Sequence, residues 1–273
     1  MSKLASLTGF RALAMTAASV AMAVAQTPAT PPTAAAPARA GRNRAPSGPA
    51  PRLPDGKPDL SGVWGTDRPL VVDIRGALPK DESLPMQPWA EQLTKSRLSK
   101  DDPEANCLPT GVPRLAPYPM KFLQMPKLFV ILFEGNIHSY RQIFLDRTEH
   151  PKDPNPSWYG DSIGHWEGDV LVVDTVGFND LTWFDFAGHP HTEQLHTIER
   201  FHRTDLGRIE YKVTIDDPGA YTKPFTLTAH FPLQPNTELM EYICNEDNRD
   251  VHHLTGFNPP TLDDGRGGAN EPQ

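Results

Sequence analysis

The chain of 273 residues carries 26 Lys and Arg against 34 Asp and Glu, a formal net charge of −8 at pH 7. Residues 1–59 hold seven of the basic and two of the acidic side chains, which leaves 19 basic and 32 acidic ones in residues 60–273, a balance of −13. A domain this acidic repels phosphate backbones, which argues against nucleic acid as a partner.

The first 25 residues have the pattern of an export signal. Lys3 and Arg11 supply positive charge, and residues 12–24 are small and apolar but too short to span a bilayer stably. Ala23-Val24-Ala25 fits a small-x-small cleavage site. We therefore expect an exported protein, periplasmic or secreted, that keeps no membrane-inserted segment after cleavage.

Residues 26–59 differ in composition from residues 60–273, with nine prolines, many alanines and almost no large apolar side chains. Such a segment buries too little surface to offset its ordering entropy, which predicts a disordered Pro/Ala-rich tether. Residues 60–258 are enough for one domain with a real core, and a flexible C-terminal tail is expected at 259–273.

One helix is predicted near the start of this domain. Pro88 suits a first helical turn, and Trp89 and Leu93 lie one turn apart. The segment Cys107–Pro126 contains five prolines and predicts an ordered, irregular strap.

Eight strand-like runs come after the strap, and turn residues join them into four predicted hairpins. The pairs are Leu128–Phe133 with Ile137–Asp146, Tyr159–Trp166 with Val170–Val176, His196–Arg203 with Arg208–Asp216, and Phe225–Phe231 with Glu238–Asn245. Apolar and polar residues alternate most clearly in Arg208–Asp216, as in a half-buried antiparallel strand. The predicted fold is therefore all-β: an antiparallel up-and-down β-barrel with one short N-terminal helix and a Pro-rich strap.

Two cysteines, Cys107 and Cys244, are present. In an oxidising compartment a disulfide between them is the first expectation. The alternative is two separate thiols, with Cys244 buried in a strand-like run.

The motif Gly62-Val63-Trp64 resembles the first-strand signature of lipocalin-like (calycin) barrels, in which the Trp closes one end of the barrel. The segments Pro54–Trp64, Lys100–Arg114 and Gly164–Phe178 resemble a set of uncharacterised exported bacterial proteins. That resemblance implies a secreted β-barrel-like domain and supplies no activity. The helix and strap that come after Trp64 depart from a standard lipocalin topology.

Residues 188–203 hold four of the ten histidines. His189, His191 and His196, with Glu193 between them, could bind zinc or a similar divalent metal and leave a position open for water. His189 and His191 face the same way in an extended chain, and Glu193 would complete the ligand shell or act as a base. The alternative is a polar loop whose histidines bond to backbone and water.

Two further side chains are candidates for catalysis. If the face of strand 196–203 that carries His196 and Arg200 points inward, Arg200 would orient a carboxylate or carbonyl of the substrate. The competing interpretation is an ordinary cross-strand ion pair between Glu199 and Lys212. His165 could serve as a general acid or base, although a lone strand histidine is more often structural.

A mixed aromatic and polar face predicts ligand binding. His138, Tyr140, Gln142 and Phe144 share one face of the first hairpin, and if it pointed inward it would line a ligand cavity rather than a dry core. Pointing outward, it would be amphipathic surface. The remaining predicted ligand-binding residues are Asp161, which shares a strand face with His165, and Tyr242 beside Cys244.

These patterns favour an exported small-molecule enzyme with a His/Glu/Arg cavity, with a divalent metal as its candidate cofactor, that catalyses hydrolysis, lyase chemistry or isomerisation. The first alternative is a non-catalytic, lipocalin-like carrier of an apolar or aromatic ligand. The second is an envelope scaffold without a small ligand. The sequence has no recognisable serine or cysteine nucleophile motif and no nucleotide-binding glycine loop.

Overall fold

The computed structural model describes residues 45–66, 68–115, 118–135 and 139–244. These residues form a nine-stranded sheet in which each strand pairs with the next one along the chain. The strands are β1 Gly62–Trp64, β2 Met120–Gln124, β3 Leu128–Phe133, β4 Tyr140–Phe144, β5 Asp161–Glu167, β6 Val170–Val176, β7 His196–Asp205, β8 Arg208–Asp216 and β9 Phe225–Pro232.

The two edges of the sheet meet. Gly65 N donates to Pro232 O at 2.9 Å, and Gln234 N donates to Val63 O at 2.8 Å, so the ends of β1 and β9 bring the sheet close to closure. The predicted lipocalin-like all-β barrel is therefore confirmed. Pairing of the two edges removes backbone donors and acceptors that would otherwise be open to other chains.

Three of the four predicted hairpins are present, and the fourth is wrong. Residues 238–244 form no strand, and β9 pairs instead with β8 along its length and meets β1 at its end. The closure through β1 occupies the edge that a strand at 238–244 would have needed. Met240 N donates to the Glu134 carboxylate at 2.9 Å instead of joining a ladder.

One joint of the barrel is parallel. The strands β4 and β5 pair only through Ile143–Ser162 and Phe144–Ile163, whereas the other neighbouring strands run antiparallel. A parallel pair needs a crossover connection, which residues 145–160 provide. This joint departs from a pure up-and-down meander.

Aromatic rings fill the barrel interior. The ring centroids of Phe201 and Tyr211 lie 5.0 Å apart, those of Tyr211 and Phe231 4.9 Å, and those of Phe122 and Phe129 5.2 Å. All five side chains are fully buried. Each contributes about 1.5–3 kcal/mol through burial, so this level of the barrel is a packed core.

Trp64 is buried where β1 meets the segment that follows β9. Its indole is fully buried, and its Nε1 donates to Leu60 O at 3.0 Å. The Arg203 guanidinium lies 4.9 Å from the ring centroid, a cation–π contact. Gly62 has φ +139°, and Leu233 lies 3.0 Å from where a Cβ would stand, which explains the glycine.

Part of the predicted tether contacts the barrel. Gly48 O accepts from Leu206 N at 2.8 Å, and Arg52 pairs with Asp169 at 2.6 Å. Arg203 also donates to the carbonyl of Asp59. The domain therefore begins earlier in the chain than composition predicts, because these proline-rich residues bond to barrel loops. The predicted signal, residues 26–44 and the predicted tail lie outside the described residues.

The predicted helix is present as α2 (Pro88–Ser96), with proline in its first turn, and a shorter helix, α1 (Pro69–Val72), precedes it.

The β6–β7 and β8–β9 connections lie at the same end of the barrel. Thr197, at the start of β7, pairs with Thr175 near the end of β6 and with Ile215 near the end of β8, so both connections leave the sheet at this end. Residues 68–114 pack on them: Gln87 N donates to Ala220 O at 2.8 Å. We call residues 68–114, 177–195 and 217–224 the cap. Within the described residues, neither helix has the length and apolar character that crossing a bilayer requires.

Cys107 and Cys244 form a disulfide, so the first of the two expectations for them is confirmed. The bond joins the strap that precedes β2 to the segment that comes after β9. Tyr118 and Tyr242 pack beside it, with ring centroids 5.4 Å apart.

Removing this disulfide should destabilise the domain. The two cysteines are 137 residues apart, and in the chain-entropy model closure of so long a loop stabilises by about 5 kcal/mol. We expect the Cys107→Ser/Cys244→Ser variant to lose about 2–5 kcal/mol of unfolding free energy in urea. Reduced wild-type protein should match it. Equal stability of the variant and the oxidised wild type would contradict the expectation.

Candidate functional site

Asp185 organises the β6–β7 connection in the cap. Its side chain is fully buried and accepts three hydrogen bonds: from Ile74 N at 2.7 Å, from His189 N at 3.2 Å and from His189 Nδ1 at 2.7 Å. A buried carboxylate needs such donors to offset its lost hydration. Asp185 therefore ties this loop to the turn at Ile74 and holds the His189 ring.

A tight turn places His189 over Asp185. Gly188 N donates to Asp185 O at 3.1 Å, and Phe184 N donates to His189 O at 2.9 Å. Gly188 has φ +88°, and Arg97 lies 3.2 Å from where a Cβ would stand, so glycine is required.

The bond to Asp185 selects the His189 tautomer. In a neutral imidazole, a proton on Nδ1 leaves the Nε2 lone pair as the acceptor. Among the described residues, none hydrogen-bonds to Nε2. A histidine that is held by a carboxylate in this way is typical of an oriented general base.

His189 lines a cavity of about 490 Å³ between α2 and the β6–β7 connection. This volume lies within the range of small-ligand sites, about 300–1,000 Å³. The lining combines apolar, hydroxyl and charged groups: Leu84, Met86, Ala187, Ser83, Thr94, Arg75, Glu91 and Lys95. We call this space the cap cavity.

Asp73 lies beside the pair. It accepts from Arg75 Nε at 2.9 Å, Arg75 Nη2 at 2.5 Å and Arg75 N at 3.0 Å. The hydrogen bonds from the Arg75 side chain are the main reason that the pKa of Asp73 is lowered.

These residues also form the one potential metal-binding group in the described part of the chain. Asp73, Asp185 and His189 offer ligand atoms within 4.8 Å of one another. However, the Asp73 oxygens already accept from Arg75, and the Asp185 oxygens from two backbone amides and the imidazole. A cation would have to displace these donors beside a guanidinium. The donor set therefore fits an acid–base pair better than a metal.

The three predicted metal histidines do not come together. His191 is buried, its Nε2 lies 2.5 Å from Thr182 Oγ1, and its ring stacks on Phe184 with centroids 5.1 Å apart. Burial is the main cause of its lowered pKa. His191 is therefore a neutral packing residue. Glu193 is exposed in the loop.

His196 lies on the outer wall of the barrel. Its Nε2 is 2.8 Å from Asp174 Oδ1, which also lies 3.1 Å from His150 Nε2. The other ring nitrogen of His150 is 2.8 Å from Asp161 Oδ1. These contacts fasten the crossover segment that carries His150 to β5, β6 and β7.

Arg200 and His165 also lie outside. Arg200 Nη2 donates to Glu167 Oε2 at 2.5 Å, and His165 Nε2 is 3.3 Å from Glu167 Oε1. The Arg200 hydrogen bond is the first cause of the lowered pKa of Glu167. Arg200 does not face the interior, because the inward face of β7 is the one that carries Phe201, whose ring packs in the aromatic core.

The inward face of β7 carries a buried charge, Glu199, whose partners the sequence did not reveal. Glu199 Oε1 accepts from Arg141 Nη1 at 2.9 Å and from Tyr211 OH at 2.8 Å. Arg141 also bonds to Ser162 Oγ at 3.1 Å and Thr175 Oγ1 at 2.9 Å. This buried network therefore joins β4, β5, β6, β7 and β8.

The network favours the charged form of its arginine. Burial lowers the pKa of Arg141. The Glu199 carboxylate and the neighbouring tyrosines raise this pKa by more than burial lowers it, so the net shift is upward. Burial, followed by the Glu199 charge, raises the pKa of Tyr211 well above its usual value. The alternative pair of Glu199 with Lys212 is wrong, because Lys212 pairs with Glu210 at 2.8 Å. The sequence held one sign of this network: Arg141 is the single charged residue of the strand YRQIF and stands at an inward position.

Two of the predicted ligand-binding residues share a cleft. Tyr140 and Asp161 line a space of about 390 Å³ between β4 and β5. Tyr242 lines a different pocket beside the disulfide. His138 lies outside the described residues. Of the groups found in the cap, Asp185 was also missed, although it stands four residues before His189 with Gly188 between them.

Comparisons with known proteins find no match for this chain. No protein-family model matches it, and no curated protein or solved structure is significantly similar to it.

Breaking the buried ion pair from one side should be costly. Glu199→Gln leaves Arg141 charged and buried without its counter-charge, and we expect a loss of about 3–5 kcal/mol in unfolding free energy. The Arg141→Met/Glu199→Leu variant should recover most of it. As a matched control, Glu167→Gln breaks a surface pair and should cost far less than Glu199→Gln. Similar losses at Glu199 and Glu167 would contradict the expectation.

The lowered pKa of His191 predicts acid sensitivity. The folded protein keeps this imidazole neutral, whereas the unfolded chain binds a proton below about pH 6.5. Unfolding therefore takes up a proton, and stability falls as pH drops below that value, by up to about 1.4 kcal/mol per pH unit. In urea titrations at about pH 7.5 and pH 5.5, the unfolding free energy of His191→Phe should depend less steeply on pH than that of the wild type. An unchanged slope in His191→Phe would refute the assignment.

Proposed function

We propose that the protein is an exported small-molecule enzyme, a hydrolase of small acyl compounds, whose active centre is the cap cavity. The observation that carries this proposal is the buried His189–Asp185 pair. Its Nδ1 contact of 2.7 Å orients the buried imidazole, and His189 is one of the residues that line a cavity of ligand size. Export rests on the sequence pattern of residues 1–25.

The chemistry depends on the orientation of the imidazole. His189 Nε2 accepts a proton from a water molecule, and the water oxygen attacks the acyl carbon of the substrate. The same nitrogen then returns the proton to the leaving group. Asp185 stabilises the imidazolium that forms in between, as the orienting carboxylate of a His–Asp pair does. The proposed reaction is hydrolysis, for which water and one oriented base are the groups that this mechanism requires.

The lining of the cap cavity defines the class of substrate. Leu84 and Met86 would contact a short apolar group. The Arg75 guanidinium, although paired with Asp73, lies on the cavity wall and would orient a carbonyl or carboxylate oxygen. Lys95 on the rim is paired with Glu91 at 2.6 Å, so the cavity is close to neutral overall. A small ester or lactone fits these features.

A metal-assisted enzyme and a carrier have less support. A metal-assisted version would require the Asp73 carboxylate, which is bound to Arg75 through both of its oxygens. A carrier with its ligand in the barrel would need space where the Phe201, Tyr211 and Phe231 rings pack against one another.

The proposal is tested by ester hydrolysis with the purified mature chain. We expect measurable kcat/KM on chromogenic acetate and butyrate esters or on small lactones, and a loss of about 100-fold or more in His189→Gln and in Asp185→Asn. Circular dichroism and urea unfolding of both variants separate loss of chemistry from loss of fold. His165→Gln, a histidine on the outer wall, should keep wild-type activity.

Three outcomes would overturn this assignment. Equal activity of His189→Gln and wild type would remove His189 from the reaction. Absence of hydrolysis across the panel by folded wild-type protein would rule against an acyl hydrolase. Activity that is lost on chelation and restored by zinc would show that Asp73, Asp185 and His189 form a metal centre rather than a metal-free base.

A further inference from the structure

The barrel wall opens between β4 and β5. Their ladder consists of two residue pairs at the Phe144 end, and the ladder does not extend back to Tyr140 or Asp161. Residues 140–142 of β4 are paired with β3 on one side only. The other side therefore presents backbone donors and acceptors to a cleft of about 390 Å³. We call this space the wall cleft.

Aromatic rings stand around the wall cleft, and they differ in exposure. Tyr140 is 59 % exposed, Phe144 and Trp158 are half-buried, and Tyr159 is buried. Tyr159 is held in place, since its ring stacks on Phe133 at 5.2 Å and its hydroxyl lies 2.7 Å from Ser139 Oγ. The exposed ring surface of Tyr140 and Trp158 can cover the C–H face of a ligand.

Polar groups alternate with these rings. Gln142 is exposed, and Ser139 and Asp161 are half-buried at the lining of the cleft. Together they offer an amide, a hydroxyl and a carboxylate. A mixture of ring faces and such groups matches a ligand that has both apolar faces and many hydroxyls.

The charges of the wall cleft are compensated within the protein. Arg141 at the base of the cleft is paired with Glu199. Asp161 accepts from Arg147 Nη1 at 3.2 Å and contacts His150 Nδ1 at 2.8 Å. An anionic ligand would find no unpaired cation among the residues described in this lining, and a cationic one would compete with Arg147. The favoured ligand is therefore neutral.

We infer that the wall cleft binds a neutral carbohydrate. The sugar would place a C–H face on the Tyr140 and Trp158 rings and its hydroxyls on Gln142, Asp161 and the open backbone edge of β4. This site is distinct from the cap cavity, and the inference does not depend on the proposed hydrolysis. The two can therefore fail separately.

Isothermal titration calorimetry of the mature chain with maltotriose, cellotriose and chitotriose tests the inference. We expect at least one trisaccharide to bind at about 10 mM or below, the range of weak ligands. Tyr140→Ala and Gln142→Ala should each weaken binding about tenfold. Both side chains are exposed, so these variants should fold as wild type does, which urea unfolding checks. Tyr242→Ala removes another exposed tyrosine outside the cleft and should bind as wild type.

Three results would contradict the carbohydrate inference. If no trisaccharide binds to the folded wild type, the wall cleft is not a carbohydrate site. If one binds but Tyr140→Ala and Gln142→Ala retain full affinity, the sugar sits elsewhere and the inference is wrong. If glucuronate binds more tightly than the neutral sugars, the wall cleft selects an anion, and the inference of a neutral ligand is wrong.

Discussion

The buried pair of Arg141 and Glu199 reinforces the barrel at the shortest ladder between consecutive strands. The strands β4 and β5 share only two residue pairs, fewer than any other two consecutive strands in the described sheet. The Arg141 side chain supplies hydrogen bonds across this joint that the short ladder lacks. It donates to Ser162 on β5, Thr175 on β6 and Glu199 on β7. Each partner satisfies a donor that would be costly to bury alone.

The two candidate sites are consequences of this construction. Because side chains inside the barrel bridge the β4–β5 joint, the strands can separate on the outside and leave the wall cleft open. The packed aromatic core leaves little room for a ligand in the interior, and the candidate reactive groups lie in the loops. The cap is where the long β6–β7 connection meets the N-terminal helices, and Asp185 and His189 lie at that junction.

Much of the framework could be predicted from the pattern of residues. In β8, Ile209, Tyr211, Val213 and Ile215 are all buried, as the alternation predicts. The neighbouring strand β7 shows the limit of that reasoning. It carries charged residues on both faces, Arg200 on one and Glu199 on the other, so polarity alone does not identify the inward face. Packing of Phe201 decides it, and this depends on rings from strands that are distant along the chain.

The site shows the same division. The sequence alone determined an all-β domain with its turns, its helix and a pair of cysteines, and it located a histidine-rich segment of interest. These features depend on local periodicity, turn residues and composition, which neighbouring residues carry by themselves. Only the tertiary structure decided that His189 belongs with Asp185 and Asp73, that His191 packs on Phe184, and that His196 faces solvent beside Asp174. Such groupings depend on contacts between segments far apart in the chain, because burial and hydrogen bonding, rather than proximity in sequence, determine which imidazole can act.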